Sequence, residues 1–234
     1  MLWIELFNLK LIVKTTTNDN IGSGFIVLYY FYVFCYTLYE WSGFVIIERK
    51  TIKNDESYLR QVSNEVSFGD TDYIDDIKLL ERFCLETECF ALAAIQIGIP
   101  KRIIYLKNTN LDIPLDDINH NESKVLINPI VVSRRGHTKF WEACLSCLDN
   151  TGLVSRPYEM VVEYYNSFGD KCRETFVGFE ATVLSHELDH LDGILHMDVA
   201  ERVIELSKEE RKIFREEHPY VIISKDCDYN ELVK

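Results

Sequence analysis

The stretch Ser185-His186-Glu187-Leu188-Asp189-His190-Leu191-Asp192-Gly193 decides how the rest of the chain is read. The run before it, Phe179 to Leu184, is mostly apolar, and neither Pro nor Gly occurs from Phe179 to Leu191. This pattern predicts a helix. At about 100° per residue, His186 and His190 stand about 40° apart, one turn along the same face. Two imidazoles so placed can each turn a nitrogen to one metal ion, with Glu187 beside them to handle a water proton. The pattern H-E-x-x-H is short, however, and an exposed helix carrying two histidines by chance gives it too. A metal site needs a further ligand.

Composition bounds what that site can belong to. A chain of 234 residues suits one sizeable domain, or one domain with an appendage. Its 47% hydrophobic residues can build a core, which excludes global disorder. A net charge of −13 runs against nucleic-acid binding as the main role, because phosphate contact needs basic patches. The seven cysteines are odd in number and their spacings form no disulfide framework. They point to a reducing compartment, with most thiols serving as small buried apolar groups.

From Ile21 to Tyr39 no residue is charged, and nineteen such residues reach the length of a membrane span. Yet the run holds Tyr29, Tyr30, Tyr32, Tyr36 and Tyr39, and tyrosine favours the membrane interface over its centre. Residues 1–48 therefore read as an apolar appendage: a leader, an anchor, or a piece packed on the domain. Membrane contact is expected only if residues 21–47 act as an anchor. The cluster Asp70, Asp72, Asp75 and Asp76 reads as a solvated loop or helix start rather than a cation site. Apolar residues at 74, 77, 80, 84 and 85 have a helical period from Ile74 to Glu88. Small apolar residues from Cys89 follow, ending at Gln96.

Arg102 to Leu106 reads as a strand, and Asn108 to Lys124 as a polar loop. Val125 to Val132 is a second strand, interrupted at Asn128-Pro129 by a bulge or an edge. Glu159 to Tyr165 and Cys172 to Val177 flank the turn Asn166 to Asp170, a hairpin signal. A charged helix from Ser207 to Glu217 is stopped by Pro219. Strands bracketed by helices are α+β rather than alternating βα units. The expected organisation is an appendage over 1–48, a metallohydrolase domain over 49–200, and a helical extension over 201–234.

Two residues compete as third ligand. His196 completes His186-Glu187-x-x-His190-x-x-Gly193-x-x-His196, the three-histidine pattern of metzincin proteases. That pattern needs a Met-containing turn downstream, and Met197 is the one methionine after His190, adjacent to the supposed ligand. The alternative is Cys144, distant in sequence. A thiolate with two imidazoles leaves a tetrahedral metal one open position, as a hydrolase needs.

Glu142-Ala143-Cys144-Leu145-Ser146, with Leu92-Ala93-Ala94-x-Gln96 upstream and His186-Glu187-x-Asp189-His190 downstream, resembles the three ordered motifs of peptide deformylase. The resemblance runs from about Tyr58 to Asp198 and is more specific than any one motif. It implies antiparallel strands around a central helix that carries the histidines, with a C-terminal helix behind. It implies Cys144, His186 and His190 as metal ligands and Glu187 as general base and then acid. Gln96, through its amide, and the Leu145 N–H would hold the oxyanion. Glu142 and Arg156 would form a supporting ion pair, and Asp189 would orient a ligand.

The implied cofactor is one divalent ion, Fe²⁺ in the family, with Zn²⁺, Ni²⁺ or Co²⁺ as substitutes. The implied substrates are nascent peptides beginning with N-formyl-Met, with transient ribosome contact and a cytoplasmic or organellar location. The chain departs from the family pattern at three glycines, replaced by Cys89, Ala91 and Ala143. Ala91 puts a methyl where a peptide would run alongside the backbone. A silent, deformylase-like binding protein is the further alternative. His196 stands where the family has an apolar aromatic residue, and a buried imidazole beside the metal helix is its expected role.

Overall fold

The computed structural model describes residues 47–69, 71–87, 89–107 and 123–229, together with the backbone of two strands near the N-terminus. The chain divides into two units, Met1–Ile46 and Ile47–Lys234. In the first, β1 (Leu2–Leu6) and β2 (Leu9–Val13) pair antiparallel, with Leu2 opposite Val13. The uncharged run 21–39, with its leader and anchor readings, lies outside the described residues. Among those described, no helix is long and apolar enough to cross a membrane.

The second unit begins with α1 (Glu56–Leu59), capped by the Asp55 side chain, which accepts from the Tyr58 N–H. Next comes α2 (Asp72–Thr87), whose first turn carries Asp72 and Asp75, where carboxylates suit a helix N-terminus. Ile77, Leu80, Phe83 and Cys84 are its buried face; of the residues with the expected helical period, Ile77, Leu80 and Cys84 face the core while Ile74 and Leu85 are exposed. β3 (Ala91–Ala93) leads into a 3₁₀ turn over Ala94–Ile97, and β4 (Ile103–Leu106) follows. Then come β5 (Lys124–Ala143), β6 (Asn150–Arg156), β7 (Glu159–Tyr165) and β8 (Lys171–Val177). The remainder is α3 (Phe179–Leu191), α4 (His196–Val199), β9 (Arg202–Glu205), α5 (Lys208–Glu217) and β10 (Val221–Asp228).

Among the described residues, eight strands form one antiparallel sheet in the order β3-β4-β5-β6-β9; β7 and β10 also pair with β5, and β8 with β7. Much of this sheet depends on β5. The sequence suggests a strand ending at Val132, but the observed strand runs for 20 residues. Asn128 is the reason both descriptions have substance. Its backbone takes φ 50°, and its side chain bonds the Val66 N–H at 2.8 Å and the Val66 carbonyl at 3.0 Å. Register shifts occur between Ile127 and Ile130 and between Val131 and Ser133. Bulges of this kind bend a strand and accommodate Pro129, which has no N–H to donate. The bent strand can then pair with β4 near its start and with β6 from Thr138 to Ala143.

The stretch after residue 200 holds the expected helix, capped by Ser207 reciprocally with Glu210. It also supplies two strands that the sequence reading lacked. β9 pairs with β6 and β10 with β5, and the β-branched Val221-Ile222-Ile223 suits that pleated role. Arg215 ties α5 down by donating to the Trp141 carbonyl at 2.9 Å, while Phe214 meets the Trp141 ring edge-on at 5.1 Å.

α3 is buried almost all round. Ala181, Leu184, Leu188 and Leu191 join Ile104, Leu106, Leu126, Met160, Val162 and Phe176 in the main core. Each buried leucine contributes roughly 1.5–3 kcal/mol, which anchors a helix that must also carry buried His186, Glu187 and His190. Gly193 turns the chain away from α3 at φ +73°, and a Cβ there would stand 2.3 Å from the Arg60 carbonyl oxygen. Gly193→Ala is therefore expected to destabilise the protein by about 1–3 kcal/mol or more. Urea denaturation reads this, and an unchanged midpoint would contradict the close approach.

Candidate metal centre

Three elements converge on one point. α3 presents His186 and His190 one turn apart, their ring centroids 4.9 Å from each other. Cys144 follows the last residue of β5, and its Sγ lies 3.2 Å from His190 Nε2. Among the described residues these three side chains form the group that could share an ion, their ligand atoms all within 4.8 Å of one another. A tetrahedral ion with metal–sulfur near 2.3 Å and metal–nitrogen near 2.1 Å needs ligand separations of about 3.3–3.6 Å. The Cys144–His190 separation of 3.2 Å is of that order, the others lie within 4.8 Å, and all three side chains are buried or nearly so.

A buried ion pair supports it. Arg156 on β6 clasps Glu142 on β5, Nε to Oε1 at 2.7 Å and Nη2 to Oε2 at 2.9 Å. The other carboxylate contact is with His186, whose Nδ1 lies 2.9 Å from Glu142 Oε2. A carboxylate on one ring nitrogen fixes the imidazole and leaves the other nitrogen for a metal. Arg156 also donates through Nη1 to Asp189 Oδ2 at 2.5 Å. Asp189 thus acts on Arg156, rather than on a ligand as the sequence reading has it. Burial pushes the Glu142 carboxyl up, but Arg156 and His186 outweigh it and hold the group well below the usual carboxylate range.

The charge balance favours a cation. A hydrogen bond from the Cys147 thiol, and then His190 and His186, draw the Cys144 thiol far down despite its burial. His186 is held above its usual value, since Cys144 and Glu142 outweigh the desolvation that lowers it. A thiolate and a carboxylate therefore attract a positive charge into the space the imidazole borders. The donor set fits a divalent ion of zinc or iron type.

Glu187 sits at the edge of this cluster. Its Oε2 accepts from the Ala93 N–H at 2.8 Å. Burial raises the Glu187 carboxyl, more than the two histidines lower it, which moves it towards the range of an acid–base group. Gln96, buried in the 3₁₀ turn, points Nε2 at Cys144 Sγ (3.3 Å) and Ser146 Oγ (3.1 Å). Leu145 follows Cys144 directly, so both expected oxyanion donors border the thiol. Two contributors escape the sequence reading. The Ser146 N–H donates to Cys144 Sγ at 3.3 Å, and the Ala93 N–H is shared between Glu187 and Gln96 Oε1. Ser146 could have been found as the polar residue two places after a candidate ligand; a backbone N–H leaves no signal in sequence.

His196 stacks on His186, with centroids 5.6 Å apart and planes 30° off parallel. Neither of its ring nitrogens has a hydrogen-bond partner among the described residues. Burial, helped by His186, depresses its pKa to about 4, so the ring is neutral and packs as a flat aromatic. A Cβ at position 152 would come 2.9 Å from its Cδ2, so Gly152 makes room for the ring.

Residues 49–205 match the sequence model of the family described as polypeptide deformylase. The chain is 41% identical to peptide deformylase of Pelagibacter ubique over 108 residues, 46% of this chain and 59% of that one. It is 33% identical to peptide deformylase of Fusobacterium nucleatum over 182 residues, 71% of this chain and 97% of that one. Its fold resembles a Met-Ala-Ser-bound peptide deformylase of Acinetobacter baumannii. The TM-score is 0.58 at 26% identity, covering 66% of this chain and 98% of that one.

Removing the carboxylate behind His186 should loosen the ion. Glu142→Gln keeps the shape but frees Arg156 and the imidazole, and is expected to weaken zinc binding about 10–100-fold. Competition against a chromophoric chelator measures it, and unchanged affinity would show the pair to be irrelevant to the ion.

Proposed function

The chain belongs to the polypeptide deformylase family, and we propose that Cys144, His186 and His190 hold its divalent ion while Glu187, Gln96 and Leu145 perform the chemistry. The activity is removal of the N-formyl group from the N-terminal formyl-methionine of newly made peptides, releasing formate. The observation that carries the residue assignment is the meeting of the Cys144 sulfur with two helix-borne imidazoles beside a buried carboxylate.

An ion held there acidifies water and polarises a carbonyl, and ferrous iron is the family's native choice, with zinc also suited to the donor set. Glu187 takes the proton of the attacking water and later delivers it to the departing amine nitrogen. Its raised pKa suits both halves of that exchange. The Gln96 amide and the Leu145 N–H donate to the oxygen that becomes negative, each worth on the order of 3 kcal/mol in comparable hydrolases. Ser146 steadies Gln96 through its hydroxyl and Cys144 through its N–H.

β3 lies at one end of the sheet order, so an extended peptide can lie along it as a further strand. The bound Met-Ala-Ser in the Acinetobacter enzyme marks a short methionine-led peptide as the ligand class. The methyl of Ala91 and the thiol of Cys89, in place of glycines, then border that peptide and tune which sequences fit.

Protein loaded with Fe²⁺ or Zn²⁺ is expected to release formate from formyl-Met-Ala-Ser. Glu187→Ala should lower kcat about 10²–10⁴-fold with its metal retained. Cys144→Ala should lose the metal, and His196→Phe should keep it. A protease acting through His196 predicts the reverse metal result and casein cleavage, and a silent binding protein predicts turnover of neither substrate.

A further inference from the structure

A second thiol lies beside the metal-ligating one. Cys144 and Cys147 close a turn in which the Cys147 N–H donates to the Cys144 carbonyl at 3.1 Å. A turn of this kind keeps its first and last Cα within about 7 Å, and disulfides span Cα separations of about 4.4–6.8 Å. Both side chains belong to one buried cluster with Leu59 and Leu195. Both are free cysteines. Cys147 stands outside the group that could hold the ion, and the resemblance assigns it no role.

We propose that Cys144 and Cys147 form a disulfide under peroxide, and that its closure withdraws the thiolate from the metal cluster and blocks metal loading. The proposal rests on the reading of Cys144 as a ligand. Chemically, the Cys144 thiolate attacks one oxygen of hydrogen peroxide, the O–O bond breaks, and hydroxide leaves to become water. Cys144 is then a sulfenic acid. The Cys147 sulfur attacks the Cys144 sulfur, the S–S bond forms as the S–O bond breaks, and the departing hydroxide takes the Cys147 proton as a second water. The two sulfurs together lose two electrons, which the peroxide oxygens accept. A bound ion occupies the Cys144 sulfur, so the loaded protein is the protected form.

Position makes this pair consequential. Gln96, Ser146 and His190 all contact the Cys144 sulfur, so turning it towards Cys147 disturbs a ligand and the contacts that hold an oxyanion donor.

The full-length protein is tested metal-free, with a small excess of hydrogen peroxide, followed by alkylation and trypsin. Because trypsin does not cut before Pro157, one fragment covers residues 140–171 and holds Cys144 and Cys147 with no other cysteine. The expected fragment is two hydrogens lighter and unalkylated, and zinc uptake by the treated protein is lost. Dithiothreitol restores both, and protein loaded with zinc beforehand resists. Cys147→Ser and Cys147→Ala should take up zinc when reduced and yield no such fragment. A wild-type fragment alkylated on both thiols, or oxygenated at Cys144 with Cys147 still free, would overturn the proposal. If the reduced wild type binds no zinc, it is the ligand reading that fails, and with it the block on loading. The fragment mass then still reports whether the pair closes.

Discussion

The guanidinium of Arg156 lies almost wholly out of water between Glu142 on the neighbouring strand and Asp189 on α3. A charge so placed costs several kcal/mol unless its partners are well aligned, and removing one partner of a buried pair typically costs about 3–5 kcal/mol. Such pairs are weak sources of net stability, and geometry is their better-attested contribution. Arg156 joins β5, β6 and α3 at one point, which fixes how far the helix is rotated against the sheet. Glu142 shares its Oε2 between Arg156 Nη2 and His186 Nδ1. The same charge that docks the helix therefore orients the His186 ring, a proposed ligand.

The bent β5 does the complementary work for the thiol. Its first part pairs with β4, the strand beside the β3 edge, and its last residues pair with β6 next to Arg156. The bulge at Asn128, held by Val66, allows one strand to serve both regions. Cys144 emerges where β5 ends, level with the turn of α3 that carries the histidines. Gln96 arrives from the other side, in the 3₁₀ turn after β3, and the Ala93 N–H reaches Glu187. Five chain segments, β3, the 3₁₀ turn, β5, β6 and α3, thus meet at this point.

Polar burial around this point is unevenly satisfied. Glu142, Arg156 and Glu187 have specific partners. His196 has none among the described residues and survives by being neutral, flat and stacked. An imidazole is tolerated in an aromatic slot when its pKa is depressed enough that no charge is buried. This explains how a third histidine at metzincin spacing can sit beside the site while its ring packs face-on against another.

The chain alone determined the parts that follow from local spacing. The helix over Phe179–Leu191, the hairpin around Asn166–Asp170, part of the buried face of α2 (Ile77, Leu80 and Cys84) and the bulge at Asn128-Pro129 were legible from periodicity and turn chemistry. The three motifs, read in order, pointed to Cys144 as partner of His186 and His190. Tertiary structure decided the rest: β5 as one strand of 20 residues, β9 and β10 as sheet strands, and Asp189 turned to Arg156. Those outcomes depend on partners far away in sequence. Pairing energy is realised only when another strand supplies the hydrogen bonds, and a buried charge chooses its neighbour by what the fold brings within reach.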